Sequence, residues 1–268
     1  MEPLELIGFF GAFMVGLILG LIGSGGSILS VPTLVYLFGL NPVTATAYSL
    51  FIVGTTSLIG SIKNLKNKLI NYSTTLLFSF SAVITVYVTR KYLIQLIPDT
   101  IINSNLMFIS KNQLIMLLFS ILMLVAGFLM IKRTPKTIVG LKKTKTIAPN
   151  KFLIFTEGSL IGFLTGLVGA GGGFIIIPIL VILSDLRMKA AIATSLAIIS
   201  LKSLIGFIGD VQNLEIDWIF LLLFTLISVI GIFIGQLFSQ KIPENKLKMV
   251  FGLFVIIIGI SILFIEFI

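Results

Sequence analysis

The stretch GLIGSGGSILSVP at residues 20–32 recurs as GLVGAGGGFIIIP at residues 166–178. The shift is 166 − 20 = 146, and at this shift residues 16–62 align with residues 162–208 without a gap. Of these 47 pairs, 21 are identical. An apolar composition produces chance matches of Leu and Ile, but it does not place glycines and a proline in one register. The chain therefore contains an internal repeat, which predicts two homologous halves.

The composition indicates a membrane protein. Of the 268 residues, 57% are hydrophobic and only 11% are charged, whereas a soluble domain carries about a quarter charged residues. Because this leaves too little polar surface to cover a globule in water, we expect a lipid bilayer around the protein. The net charge of +9 does not indicate a nucleic-acid partner, since the basic residues cluster in short loops between apolar segments, where they set membrane orientation.

Apolar runs predict an all-α integral membrane protein with about eight long transmembrane helices and two short ones. Each long run approaches the roughly 20 residues that a helix needs to cross a bilayer. The long runs cover residues 4–22, 43–62, 72–90, 112–131, 152–170, 190–208, 216–239 and 247–268. Residues 28–40 and 174–184 are too short to span comfortably and are typical of re-entrant or broken helices. The sequence leaves open whether these two segments cross fully.

The stretch 132–151 differs in kind from the apolar runs. It contains seven Lys and Arg residues together with Pro135 and Pro149, a composition typical of a solvated linker. We therefore predict a first membrane repeat at 1–131, a basic cytoplasmic linker at 132–151 and a second membrane repeat at 152–268.

The loops that follow the third long segment of each half carry opposite charges. Loop 63–68 is purely basic, and the equivalent loop 209–217 is purely acidic. Since Lys and Arg collect on the cytoplasmic side, equivalent loops are predicted on opposite faces, as in an inverted repeat. Both termini are then predicted outside, in a multi-pass protein of the plasma membrane. The predicted outer loop around Arg90, Lys91 and Lys111 is the exception, because it is not acidic.

Each glycine cluster ends a full-length helix and opens a short one. In lipid, unwound backbone is tolerated only where it is buried in protein or lines a cavity. A short helix that begins there points free N–H groups and a positive dipole end at that cavity, and two inverted copies predict a paired anion site near the midplane. The alternative is that the glycines only allow close helix packing. The predicted substrate-binding residues are Gly23, Ser24, Gly25, Gly26 and Ser27 in the first glycine turn (23–27), and Gly169, Gly171, Gly172 and Gly173 in the second (169–173).

Lys202 lies well inside the run 190–208. A lysine in hydrocarbon costs several kcal/mol unless it is paired or hydrated, so we predict that Lys202 binds substrate. The alternative is that its side chain extends to a nearby interface. Its repeat partner is Thr56, and Ser49 and Ser195 are further hydroxyl candidates, although serine in membrane helices also serves packing.

The residue types argue against an enzyme. The chain has no His and no Cys, so it lacks the commonest general base, the commonest metal ligand and any thiolate. The glycine clusters complete neither G-x-G-x-x-G nor a G-K-[ST] sequence. We therefore predict no catalytic residue, no cofactor and no metal site. A channel or a non-transporting scaffold is the other alternative, and an inverted repeat with broken helices favours a carrier.

The doubled motif, with its glycines and the proline at 32 and 178, resembles the TauE/SafE family over essentially the whole chain. This resemblance implies a multi-pass permease for small sulfur-containing anions such as sulfite or sulfoacetate. An inside-negative potential favours export of an anion, by about 2.3 kcal/mol per charge at 100 mV. We expect alternating access, with a channel-like permease or a carrier of a non-sulfur solute as alternatives. A homodimer is compatible with the sequence, although no residue argues for one.

Overall fold

The computed structural model describes residues 3–23, 26–104, 107–132, 151–169, 171–182, 186–239 and 242–267. A helix forms at each of the ten apolar runs. Two π-helical turns, Thr33–Leu37 and Thr89–Leu93, continue the second and fourth helices. In chain order the helices are α1 (Pro3–Ile22), α2 (Gly26–Pro32), α3 (Pro42–Lys66), α4 (Tyr72–Val88), α5 (Ile94–Leu96), α6 (Lys111–Lys132), α7 (Lys151–Val168), α8 (Gly173–Ile182), α9 (Met188–Val211), α10 (Trp218–Ser239) and α11 (Glu244–Phe267).

A short antiparallel hairpin lies between α5 and α6. Its strands are β1 (Thr100–Ser104) and β2 (Met107–Ser110), and Thr100 pairs with Ser110 at the open end. The sequence analysis did not predict this hairpin. The hairpin connects α5 to α6. The other secondary-structure elements of the described chain are helical.

Five of the described helices are long and apolar enough to cross a membrane. These segments are Pro42–Leu65, Tyr72–Leu96, Lys111–Leu129, Lys189–Val211 and Trp218–Ser239, and shorter apolar segments are Ile7–Ile22, Ile28–Leu37, Ile154–Val168 and Gly252–Glu266. Large apolar side chains such as Leu76 and Ile219 are exposed, whereas hydroxyls such as those of Ser49 and Thr56 are buried. This inversion of the usual soluble pattern is expected when lipid surrounds the protein, and it fits a multi-pass membrane protein.

The helices pack in pairs that follow the internal repeat. α1 packs along α10, α4 along α7, α3 along α9 and α6 along α11. α4 begins at Tyr72 and α10 at Trp218, and 218 − 72 = 146, so the register of the repeat continues through these two helices. A shift of 146 residues aligns α1 with α7 and α4 with α10. The pair formed by α1 and α10 is therefore equivalent to the pair formed by α7 and α4.

Glycines bring the paired helices into backbone contact. A Cβ added to Gly16 of α1 would overlap the carbonyl oxygen of Ser228 on α10. A Cβ added to Gly162 of α7 would meet the carbonyl oxygen of Ala82 on α4 at 2.5 Å. Since 162 − 16 and 228 − 82 are both 146, the same close crossing occurs in both helix pairs.

The two short helices are surrounded by protein. Ile28 and Val31 of α2 and Phe174 and Ile177 of α8 lie in one buried cluster with Phe119 of α6. α2 and α8 also contact each other. The glycine turns that precede these helices are therefore held inside the helical body, where unwound backbone is tolerated.

Candidate functional site

Both glycine clusters break the chain between a long and a short helix. After α1 the backbone of Gly23 has φ +77°, and α2 begins at Gly26, with Ser27 in its first turn. After α7, Gly169, Gly171 and Gly172 have φ +67°, +59° and +68°, and α8 begins at Gly173. Glycine adopts these left-handed angles without the Cβ penalty of other residues. Ser24, Gly25 and Ala170 lie outside the described residues.

Each turn packs against a long helix of the other half. Gly23 lies against Ile192 of α9, and its carbonyl oxygen accepts a hydrogen bond from Ser195 Oγ at 3.2 Å. Gly169 lies against Thr46 of α3. The two contacted residues are equivalent, because 192 − 46 = 146. The crossing of α3 and α9 therefore holds both turns in the interior.

Lys202 lies beside the second glycine turn. Its side chain is fully buried, and its Nζ donates to Thr165 Oγ1 at 2.7 Å. The same Nζ is 3.2 Å from the position that a Cβ on Gly172 would occupy. The ammonium thus points at the turn and does not reach the surface of the described structure.

The candidate hydroxyl groups occupy three different environments. Ser49 Oγ is 2.6 Å from Ser30 Oγ on α2. Ser195 Oγ donates to the carbonyl oxygens of Gly23 and Ile192. Thr56 is buried, and its Oγ1 has no hydrogen-bond partner within the described ranges. Within the described part of the two turns, Ser195 is the one of these three residues that contacts a glycine turn directly.

Arg90 is a site residue that the sequence analysis missed. Its predicted place in an outer loop is wrong, because it lies fully buried in the π-helical turn Thr89–Leu93. Its Nη1 donates to Thr46 Oγ1 at 3.1 Å and lies 3.3 Å from Oδ2 of Asp210, in the last turn of α9. The internal repeat could have indicated this position. At the repeat shift of 146, Arg90 aligns with Gln236 (236 − 90 = 146), which lies inside α10.

The buried charges at the second turn do not balance. Among the described residues, the buried charged side chains near this turn are Arg90, Lys202 and Asp210. The carboxylate oxygens of Glu157, further towards the start of α7, are also buried. Arg90 Nη2 lies against Gly169, Lys202 Nζ faces Gly172, and the two cations are near enough for their charges to interact. With ordinary charges the cluster carries 2 − 1 = 1 excess positive charge. Such an environment favours an anion next to the turn.

A cavity of about 440 Å³ reaches the surface at loop 63–68. Its inner wall includes Gly20 at the end of α1, Ile192 of α9 and Gln236 of α10, and its rim includes Lys63 and the exposed Lys189. The cavity therefore leads from a basic surface towards the first glycine turn.

A second cavity, of about 510 Å³, reaches loop 209–217 at Leu214 and is otherwise lined by residues near Asn41 and Lys111. Ile192, Gln236 and Asn64 line the 63–68 cavity, and the residues 146 positions away from them are Thr46, Arg90 and Asp210. There the guanidinium of Arg90 joins Thr46 to Asp210. The ion pair thus occupies the positions at the 209–217 face that are equivalent to Gln236 and Asn64 in the wall of the 63–68 cavity.

Comparison with known proteins identifies the family of the chain. A family model described as "Sulfite exporter TauE/SafE" matches residues 8–262. The chain belongs to the TauE/SafE family. It is therefore a membrane transporter, which is the class indicated by the doubled glycine motif.

Several TauE/SafE relatives match along almost their whole length. A "Probable membrane transporter protein" of Xylella fastidiosa (strain 9a5c) is 26% identical over 253 residues, which cover 93% of this chain and 91% of that protein. YunE of Bacillus subtilis (strain 168) is 26% identical over 271 residues, 94% and 96% of the two chains. MJ0441 of Methanocaldococcus jannaschii is 27% identical over 266 residues, 91% and 92%. Both bear the same description, and no solved structure matches the chain.

Proposed function

We propose that this TauE/SafE protein is a secondary transporter that exports small sulfur-containing anions, such as sulfite or sulfoacetate, across the plasma membrane by alternating access. The observation that carries this proposal is the excess of buried positive charge at the second glycine turn. Two cations, Arg90 and Lys202, flank that turn, and Asp210 is the buried carboxylate beside them. An unbalanced cation inside a membrane protein is costly, and a bound anion removes that cost.

The proposed binding site lies where the two glycine turns approach the crossing of α3 and α9. Lys202 supplies charge, and Thr165 fixes the position of its ammonium. The backbone of turn 169–173 leads into α8, a helix of ten residues. The N–H groups at the N-terminus of this helix point towards the turn. Ser195 ties the first turn to α9, so the two turns share one framework.

The proposed architecture is a pair of inverted repeats with eight long and two short helices. The halves are 1–131 and 152–268, joined by a cytoplasmic linker at 132–151, with both termini outside. The exchange of the α1–α10 and α7–α4 pairs by the 146-residue shift supports a twofold relation between the halves. The basic loop 63–68 and the acidic loop 209–217 support opposite orientations. Residues 133–150 of the linker lie outside the described part of the chain.

In this proposal the structure corresponds to an inward-facing state. The cavity at loop 63–68 gives the cytoplasm a path towards the glycine turns. The Arg90–Asp210 pair occupies the equivalent positions on the proposed outer side and is the barrier between the glycine turns and that side in this proposal. Transport then requires that the ion pair opens while the equivalent residues at the inner face come together. An inside-negative membrane potential drives the anion outward, which makes export favourable without ATP.

The proposal is tested by flux into or out of proteoliposomes. The purified protein is reconstituted with sulfite, sulfoacetate, sulfate or chloride, and flux is measured with and without an imposed potential. Saturable movement of a sulfur anion that Lys202→Met abolishes is the expected result. Flux that does not saturate would favour a channel-like permease. Failure of every anion to move, under either potential, would overturn anion transport and direct the search to other solutes.

A further inference from the structure

The guanidinium of Arg90 is only partly used by its neighbours. Nη1 meets both Thr46 and Asp210. Nε and Nη2 are buried and have no hydrogen-bond partner in the part of the chain that the structure describes. In a guanidinium these two nitrogens share one edge, which presents two parallel N–H groups to an oxyanion. Leaving such donors unsatisfied inside a protein is unfavourable, so this edge indicates a ligand.

The free edge lies at the proposed anion site. Nη2 lies against the position that a Cβ on Gly169 would occupy, and the Nζ of Lys202 lies 3.2 Å from the same position on Gly172, three residues further along the turn. The ammonium of Lys202 has three N–H donors, and its hydrogen bond to Thr165 uses one of them. The turn therefore has a planar pair of donors near Gly169 and a point charge near Gly172.

We propose that Nε and Nη2 of Arg90 bind two oxygens of the transported anion, while Lys202 binds the same anion near Gly172. This inference rests on the proposed transport of anions and deepens it by naming the recognised group. The site selects oxyanions that present two oxygens on one face, such as sulfite or a sulfonate, over a spherical halide. Arg90 is then a specificity-determining residue.

The same guanidinium also pairs with Asp210 at the 209–217 face, through Nη1. The two tasks use different nitrogens, so one substitution separates them. A lysine at position 90 keeps a cation for Asp210 but lacks the two-donor edge. The next residue of the π-helical turn, Lys91, provides the matched control, because its Nζ donates to Tyr87 OH and belongs to neither task.

The test measures binding separately from transport. Purified wild type, Arg90→Lys, Lys91→Arg and Asp210→Asn are titrated with sulfite, methanesulfonate and chloride, and the shift of the melting temperature gives each apparent Kd. The wild type is expected to bind the two oxyanions more tightly than chloride. Arg90→Lys is expected to weaken oxyanion binding by about tenfold or more, since a charge-assisted pair of hydrogen bonds is lost. Lys91→Arg is expected to match the wild type.

Asp210→Asn keeps the test decisive if Arg90→Lys does not fold. Removing the carboxylate leaves the guanidinium and Lys202 without a competing anion, so oxyanion binding is expected to tighten several-fold while chloride remains the weaker ligand. Three results would each overturn the proposed role of the guanidinium edge. They are weaker oxyanion binding by Asp210→Asn, unchanged oxyanion affinity in Arg90→Lys, and equal affinity of the wild type for chloride and sulfite. A further outcome separates this inference from the proposed function. If the wild type binds oxyanions tightly, Arg90→Lys does not, and the wild type shows no flux, the role of the guanidinium edge is supported and transport is refuted.

Discussion

Nη1 of Arg90 lies 3.3 Å from Oδ2 of Asp210, and both side chains are buried. The pair joins the π-helical turn after α4 to the last turn of α9. Removing one partner of a buried ion pair leaves an uncompensated charge and costs about 3–5 kcal/mol. We therefore regard this pair as the contact that must separate before the 209–217 face opens.

Asp210→Asn is predicted to open the 209–217 face. The chain contains no Cys, so a single introduced cysteine reports access directly. Ile192→Cys at the cavity wall and Thr46→Cys at the buried position beside Arg90 are equivalent, since 192 − 46 = 146. Without a further substitution, a membrane-impermeant thiol reagent is expected to modify Ile192→Cys from the 63–68 face and to leave Thr46→Cys unmodified. Adding Asp210→Asn is expected to make Thr46→Cys react from the opposite face.

The matched control for this change is Asp217→Asn. Asp217 is an exposed acid on the same face, where its Oδ1 accepts a hydrogen bond from the backbone of Phe220. It makes no contact with Arg90 in the described structure, so modification of Thr46→Cys should stay low. Equal modification in both backgrounds would show that loss of acidic charge, and not loss of the ion pair, changes access.

Lys202→Met is predicted to abolish saturable anion flux without destabilising the protein. Methionine fills a similar volume and removes a buried charge, so the apparent melting temperature in detergent should stay the same or rise by a few degrees. Ser203→Ala is the control, because Ser203 is buried next to Lys202 and its Oγ has no partner among the described residues. Its flux should remain within about twofold of the parent value. Normal flux in Lys202→Met would refute the role of the lysine.

Gly172→Ala is predicted to impair anion binding beyond the effect of backbone strain. Both Gly172 and Gly39 have positive φ, +68° and +66°, so an alanine at either position costs about 1–2 kcal/mol. A Cβ on Gly172 would also overlap Thr165 and approach the Nζ of Lys202, whereas a Cβ on Gly39 would meet nothing within 4 Å. The apparent KM for the anion is expected to rise in Gly172→Ala alone. Equal KM changes in the two variants would attribute the effect to strain.

The sequence was sufficient to locate the helices and the two chain breaks. Apolar length identified every helix except the three-residue α5, and paired glycines before a short apolar run identified the positions where α1 and α7 end. Positive φ at Gly23 and Gly169 follows from the same residues. These features are local, since the bilayer sets helix length and the missing Cβ permits the turn.

The ion pair of Arg90 and Asp210 could not be found in the same way. The two residues are 120 positions apart (210 − 90), and each lies near the end of an apolar run, where a charge ordinarily meets water or lipid headgroups. The π-helical turn continues α4 beyond Val88 and places Arg90 inside the protein. Only the packing of α4 against α9 reveals that Asp210 is its partner. Aligning Arg90 with Gln236 of α10 through the repeat would have suggested that Arg90 lies inside a helix. It would not have identified Asp210 as its partner.

Moving the ion pair to the other face is predicted to close the cavity. Gln236 and Asn64 both line it, and Gln236 Nε2 donates to the carbonyl oxygen of Gly60 at 2.7 Å. They are the equivalents of Arg90 and Asp210, since 236 − 90 = 146 and 210 − 64 = 146. The double variant Gln236→Arg, Asn64→Asp is therefore expected to join α10 to α3 at the 63–68 face and to reduce modification of Ile192→Cys several-fold.

Closure of the 63–68 face has a second expected consequence in an alternating-access transporter. Modification of Thr46→Cys from the 209–217 face should rise as modification of Ile192→Cys falls, because the two openings exclude each other. The single variant Gln236→Arg is the control, since an arginine without the introduced aspartate has no ion-pair partner there and should not close the cavity. A folded double variant with unchanged modification at both cysteines would show that the halves are not interchangeable, and the inverted-repeat mechanism would have to be abandoned.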